Sequence, residues 1–384
     1  MILPYYTLTP EQVKIQAMVR ELADTYIRPM AARIDEKDEY PWVSYRHLSE
    51  VKLGGIMIPK EYGGWGEGLL TAVLVQEELG RASGSVALVN TVPLLAGFAI
   101  IKYGTPEQKQ SFLPHMVSGS KIFNFSLTEP GSGSDVAGMK TVALRDGDGY
   151  VMSGAKRYVG NAGIADYYGI YVKTDPAAGA KGISLFMVDK KTPGLTSPKA
   201  EAKLGLRGFI HGDIVMKNCR VPASGMIGKP GDGFLIAMKT LDPSRIVMSA
   251  NATGLAQEAY EQALAYAKRR VTFGKPIIQH QAIAFMLADM ALEVHTARLL
   301  THHSARLMDQ GVERFAKESA MAKLYTCDIV MKVADRAVTV FAAEGYTKGT
   351  DAGIERLFRD ARSFQIMEGT AEIQRLVISR ELMR

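Results

Sequence analysis

Cysteine is almost missing from this chain. Cys219 and Cys327 are the two present in 384 residues, and they lie far apart. That excludes a disulfide framework and a cysteine-built zinc site, and it fits a reducing compartment, the cytoplasm of bacterial type or another. Blocks of like charge are missing as well. The net charge is +6, but acidic and basic residues are interspersed throughout, which leaves no tail for nucleic acid, so no nucleic-acid partner is expected. A mildly basic balance suits an anionic substrate, and it suits ordinary surface composition equally. Met1 to Pro10 shows no basic region followed by an apolar core, so no secretory signal is expected. The longest apolar run, Val86 to Ile101, carries Asn90, Thr91 and Pro93. It falls short of the ~20 apolar residues that cross a bilayer, so it reads as a buried core helix and no membrane insertion is expected. Apolar residues themselves are plentiful, at 47%. That is enough for a sizeable core and argues against disorder. A chain of this length is expected to form two or three domains or one large composite unit.

The pattern changes twice along the chain. Thr9-Pro10-Glu11-Gln12 places an N-cap, a first-turn proline and a glutamine at the third helical position, and Thr105-Pro106-Glu107-Gln108 repeats the device. Val13, Met18, Leu22 and Ile27 recur near helical spacing, and Leu69 to Gly80 and Val86 to Ile101 read as helices with wide apolar faces. Residues 1–120 are therefore expected to be a helical domain. From about Lys121 to Pro230, short β-rich runs alternate with Gly, Asp and Pro turns, and Asp146-Gly147-Asp148-Gly149 is a hairpin signal. Residues 121–230 are expected to be an antiparallel β-sandwich or barrel. The helical period then returns over Leu241 to Arg269, Ile278 to Asp309, Phe315 to Ala343 and Thr370 to Met383. Residues 231–384 are accordingly expected to be a C-terminal α-helical domain, a bundle of four. The fold class is α+β, with the sheet between two helical parts.

One stretch organises the rest. Phe125-Ser126-Leu127-Thr128-Glu129-Pro130-Gly131-Ser132-Gly133-Ser134-Asp135 closes an apolar run that reads as the end of a buried strand. It then breaks into a loop of small residues, whose backbone N–H groups a flat or anionic ligand can approach closely. It is neither GxGxxG nor a Walker loop, and alone it reads equally as a turn. Two later stretches add to it: Arg270-Val271-Thr272-Phe273-Gly274-Lys275-Pro276 with His280-Gln281, and Ile366-Met367-Glu368-Gly369-Thr370-Ala371-Glu372-Ile373-Gln374-Arg375. In this order, the three resemble the signatures of the acyl-CoA dehydrogenase family of flavoproteins, and the resemblance runs from Thr9 to Arg384.

The resemblance implies FAD as cofactor, an acyl-CoA thioester as substrate, electron-transfer flavoprotein as electron acceptor, a homotetramer, and a place in fatty acid or organic acid degradation. No metal is implied. The reaction removes two hydrogens from adjacent carbons, so it needs a base, hydrogen bonds to the thioester carbonyl, and a flavin held flat behind the substrate. Glu368 matches the family's Glu-Gly-Thr motif and is the expected base. Read alone, it is also a plain first-turn glutamate of the helix beginning near Thr370. Some relatives carry the base just before Arg245, where this chain has Ser244. Flavin contacts carry over to Phe125, Leu127 and Thr128, to Ser134, and to Tyr158, Val159 and Gly160. The adenine and pyrophosphate end carries over to Arg270, Thr272, Phe273, His280 and Gln281, supplied by a neighbouring subunit, and to Gly369, Thr370 and Glu372 at a helix start. Ser134, Asp242 and Arg245 match substrate positions, and Asn90, Thr91, Leu94 and Leu95 are candidates for the acyl pocket. Asp242 with Arg245 reads equally as a helix-start ion pair.

Two departures stand out. The family often has Trp or Phe at Tyr158 and Thr or Ser at Gly160, so here no hydroxyl faces the flavin at that point and only a backbone donor remains. The family's Gln-x-x-Gly-Gly-x-Gly-Tyr becomes Thr339-Val340-Phe341-Ala342-Ala343-Glu344-Gly345-Tyr346. Gly160 keeps open a same-fold enoyl-CoA reductase or an oxygen-using acyl-CoA oxidase. A flavin-containing DNA-binding protein of this fold is a further alternative, opposed by the lack of a basic tail and by the intact Glu368.

Overall fold

A computed structural model describes residues 7–198, 200–350 and 353–384. Met1 to Tyr6, most of the stretch read for a secretory signal, lies outside the described residues. The N-terminal part is helical: α1 (Pro10–Leu22), α2 (Ala31–Lys37), α3 (Trp42–Glu50), α4 (Leu69–Ala82), α5 (Gly84–Tyr103) and α6 (Pro106–Ser118). Both expected capping boxes form, at Thr9 with Gln12 and at Thr105 with Gln108. In each, side chain and backbone satisfy one another's free amide groups. Among the described residues α5 is the one helix long and apolar enough to cross a membrane, but 78% of its most apolar window is buried inside the fold. It is the core helix that the polar Asn90 and Thr91 suggested.

The middle part is a sheet built from β1 (Phe123–Ser126), β2 (Val142–Asp146), β3 (Gly149–Gly160), β4 (Tyr167–Lys173), β5 (Ile183–Asp189), β6 (Leu195–Thr196), β7 (His211–Pro222) and β8 (Met226–Ile227). Its order is β6-β7-β3-β2-β4-β5-β8, with β1 added alongside β4. The 146–149 hairpin forms as expected, with Asp146 opposite Gly149 and Gly147 at φ 61°. The sheet is mixed rather than wholly antiparallel. β1 runs parallel to β4, Phe123 facing Tyr167 and Ser126 facing Ile170, and Val142 of β2 meets Lys173 of β4 in parallel. Alternation within a strand reports which face is buried, not the direction of its neighbour, so this was not legible from the pattern.

The C-terminal part holds α7 (Gly233–Arg269), a small hairpin of β9 (Val271–Thr272) and β10 (Lys275–Pro276), α8 (Gln281–Asp309), α9 (Ala316–Phe341), the short α10 (Ala343–Tyr346), α11 (Ile354–Phe364) and α12 (Ala371–Leu382). α7 begins two turns before the expected Leu241 and runs through Pro243. A proline inside a helix removes one backbone bond, and packing against α4 and α9 outweighs that loss. α11 was not expected. Its charged residues mask a short apolar face of Ile354, Leu357, Ala361 and Phe364.

Candidate active site

The C-terminal motif folds into a strained turn between α11 and α12. Glu368 sits at φ 54° and Gly369 at φ 90°. A left-handed glutamate is uncommon and persists only where its surroundings hold it. Here they do. Lys323 of α9 is wholly buried, and its Nζ donates to the carbonyls of Phe364 at 3.0 Å and Gly369 at 2.7 Å, spanning the turn. Gln374 Nε2 donates to the carbonyls of Glu368 and Gly369. Ser244 of α7 donates to Glu368 Oε2 at 2.6 Å. Among the described residues the Glu368 amide has no acceptor within the chain. Burial pushes the Glu368 carboxyl above its ordinary range, and the Ser244 hydrogen bond, then the charges of Lys323 and Arg245, pull part of that back.

The first motif and the end of β3 meet. The Arg157 amide donates to the Thr128 carbonyl at 2.9 Å, and Asn124 Nδ2 donates to the Gly160 carbonyl at 3.3 Å. This puts Phe125, Leu127 and Thr128 beside Tyr158, Val159 and Gly160. Tyr158 is left-handed, at φ 54°, beside a break in the β3–β7 register, and 58% exposed under the Arg157 guanidinium. Beyond Thr128 the loop is shaped from beneath by a pair that sequence reasoning missed. Lys156 Nζ donates to the Leu127 carbonyl and to Glu129, whose carboxylate accepts the Lys140 and Thr141 amides. Gly131 and Gly133 stand clear at its rim, where a Cβ on either would meet nothing, and Ser134 is exposed beside them. An open loop on a rigid base, next to a flat wall, fits a flavin and its phosphates.

The remaining residues divide in two. Asp242 and Arg245 form an ion pair at 3.0 Å next to Ser244, and among the described residues buried Arg245 Nε has no partner. Thr370 caps α12 through the Ile373 amide, with Glu372 exposed in the first turn. Thr91 and Leu95 lie a turn apart on α5, and Thr91 accepts from Asn251 Nδ2 of α7 at 2.9 Å. Asn90, one residue earlier, is turned about 100° away. It lines a separate cavity with Tyr45, Ser49 and Gly119, so the structure parts the two polar candidates. The hairpin of Arg270, Thr272 and Phe273 projects outward, with Phe273 94% exposed and left-handed, and is tied to His280 through Thr272; Gln281 is exposed at the start of α8. Among the described residues the hairpin packs on α7, not on the Phe125 to Gly160 wall.

Lys323 carried a signal that could have been read. It falls on the buried stripe of α9 with Ser319, Ala320, Cys327 and Val330, where a lysine is out of place unless partnered.

Comparison with known proteins identifies the family over nearly the whole chain. Family models described as the acyl-CoA dehydrogenase N-terminal, middle and C-terminal domains match residues 9–120, 124–219 and 231–383. An acyl-CoA dehydrogenase of Bacillus subtilis is 41% identical over 98% of this chain and 99% of its own. An NADH-dependent acryloyl-CoA reductase of Anaerotignum propionicum is 39% identical, over 99% and 96%. The structure of butyryl-CoA dehydrogenase from Megasphaera elsdenii superposes with a TM-score of 0.96 at 35% identity, over 99% and 100% of the two chains. The chain therefore belongs to the acyl-CoA dehydrogenase family of FAD-dependent oxidoreductases acting on CH–CH bonds.

Proposed function

We propose that this enzyme oxidises an acyl-CoA thioester to the 2-enoyl-CoA, with Glu368 as the base. The observation that carries the reading is the strained turn, which presents a half-buried carboxylate and an unengaged backbone amide side by side. The amide donates to the thioester carbonyl and stabilises the enolate, and the carboxylate takes the α proton. FAD, when bound, supplies the acceptor for the β hydrogen as hydride. Phe125, Leu127, Thr128 and Tyr158 to Gly160 flank the flavin ring. The loop at Ser134, with Asp242 and Arg245, takes the CoA end, and Thr91 and Leu95 face the acyl group. Arg270, Thr272, Phe273, His280 and Gln281 serve the FAD of a second copy, in a homotetramer that light scattering would test. Gly369, Thr370 and Glu372 complete the dinucleotide site. Domain boundaries near 120 and 230, an electron-transfer flavoprotein acceptor and a cytoplasmic setting complete the reading.

In E368Q, acyl-CoA should no longer bleach the flavin under anaerobic conditions while FAD stays bound. Fast bleaching in that variant would remove Glu368 as base. A second reading, reduction of an enoyl-CoA, is supported by the reductase relative and by the missing hydroxyl at Gly160. Turnover driven by NADH with an enoyl-CoA, set beside turnover with electron-transfer flavoprotein and an acyl-CoA, separates the two.

A further inference from the structure

We propose that Ser244 is a positioning residue that holds Glu368 ionised and aims it; this rests on the reading of Glu368 as base. Hydroxyls inside helices ordinarily bond back to the carbonyl four residues earlier. Neighbours on α7 do so: Ser249 to Arg245 at 2.7 Å and Thr253 to Ser249 at 2.8 Å. Thr91 of α5 and Thr326 of α9 do the same. Ser244 breaks the pattern. It is wholly buried, and its hydroxyl crosses from α7 to Glu368 Oε2, its one partner among the described residues.

The consequence is directional. A hydroxyl that donates to a carboxylate favours the charged form and occupies one oxygen, leaving Oε1 for the substrate proton. After transfer to Oε1 the same hydroxyl goes on donating to Oε2, now the carbonyl oxygen of the carboxylic acid. The other charged or titratable groups near Glu368 are Arg245 on α7, paired with Asp242, and Lys323 and Cys327 on α9. Lys323 already spends two donors on the carbonyls of Phe364 and Gly369. Ser244 is thus the group in direct contact with the carboxylate itself.

The test uses the FAD-loaded enzyme and S244A, S244T and E368Q. One readout is the pH dependence of anaerobic flavin reduction by butyryl-CoA. The other is an infrared titration of the carboxylic C=O stretch without substrate, assigned by its loss in E368Q. A hydrogen bond to a charged group is worth enough to move a carboxyl by about one pH unit. In S244A both titrations should therefore move upward by about one unit, with FAD content unchanged and Tm lowered by only a few degrees, and S244T should restore them. Should S244A fail to fold, S244C, whose thiol is a weak donor, takes its place with the same expected shift. Wild-type titration of the carboxyl band in the folded variant overturns the inference. If E368Q still bleaches quickly, the base assignment itself fails, and the two failures are distinguishable.

Discussion

Lys156 Nζ lies 2.8 Å from Glu129 Oε1, with the lysine wholly inside the protein. Burial pulls the lysine down to about 8, while its charge holds Glu129 below the ordinary carboxylate range. The Glu129 carboxylate accepts amides at Lys140 and Thr141, so one ion pair ties together both ends of the loop that carries Gly131 to Ser134. Removing one member leaves a buried charge unpaired. K156M should lose about 3–5 kcal/mol of stability, and amide exchange over 129–141 should accelerate more than elsewhere. K156M/E129Q, which strands no charge, should recover part of the loss. A K156M protein with wild-type Tm and loop protection would count against the tie.

A Cβ at Gly160 would lie 2.5 Å from Phe209 Cζ. That space is taken by the ring of Phe209, from the turn just before β7, itself packed edge-on against His211 at 4.6 Å. Restoring a hydroxyl by G160S therefore overpacks the site, at about 1–3 kcal/mol. F209A alone leaves a cavity, at about 3–5 kcal/mol. In G160S/F209A the two changes relieve one another, so the loss should be smaller than their sum. Urea unfolding of the four proteins measures the coupling, and strict additivity would refute it.

Asp360 of α11 accepts the Leu206 amide deep in the fold, and burial raises its carboxyl to about 6 from 3.8. The folded protein thus keeps a proton that the unfolded chain releases earlier. Its contribution is fully present below about pH 4 and is lost as pH rises through 6. D360N keeps the acceptor without the titration. Between pH 4 and 7, wild type should lose up to about 3 kcal/mol relative to D360N. Parallel stability profiles for the two proteins would contradict the assignment.

Much of this site was legible because it is local. Glu368-Gly369-Thr370 sits where a turn meets a helix start, and Phe125 to Asp135 where a strand meets a glycine loop, so their resemblance in order to family motifs was enough to propose them. What was not legible is what crosses between elements. Ser244 reads as an empty position until α7 is laid beside the Glu368 turn, where it becomes that residue's hydrogen-bond donor. Lys156 and Lys323 act through their ammonium groups on carbonyls 29 and 41 residues away. Asn90 and Thr91, adjacent in sequence, were paired as pocket candidates, but helical rotation sends them to different sides of α5. The left-handed backbone at Tyr158, Phe273 and Glu368 has no residue signature, since none of these types prefers that conformation.

If the acyl group runs along one stripe of α7, that stripe limits its reach. Ser244, Met248 and Asn251 recur at helical spacing, so they share a face, which starts at Glu368 and ends against Thr91 of α5. Met248 and Asn251 are both buried, and Asn251 Nδ2 also approaches the Met248 sulfur at 3.8 Å. From Ser244 to Met248 is one turn, about 6 Å, and to Asn251 about 10 Å. An acyl chain following this face meets the methionine after about four carbons and a hydrogen-bonded polar pair beyond it. Butyryl-CoA should therefore reduce the flavin quickly and octanoyl-CoA at least tenfold more slowly, when kcat/KM is compared across a thioester series. M248A clears the first obstacle and should raise the rate with hexanoyl-CoA relative to butyryl-CoA, while N251L, which removes the polar closure, should act further along the series. If octanoyl-CoA matches butyryl-CoA in the wild-type enzyme, the acyl group does not follow this face of α7.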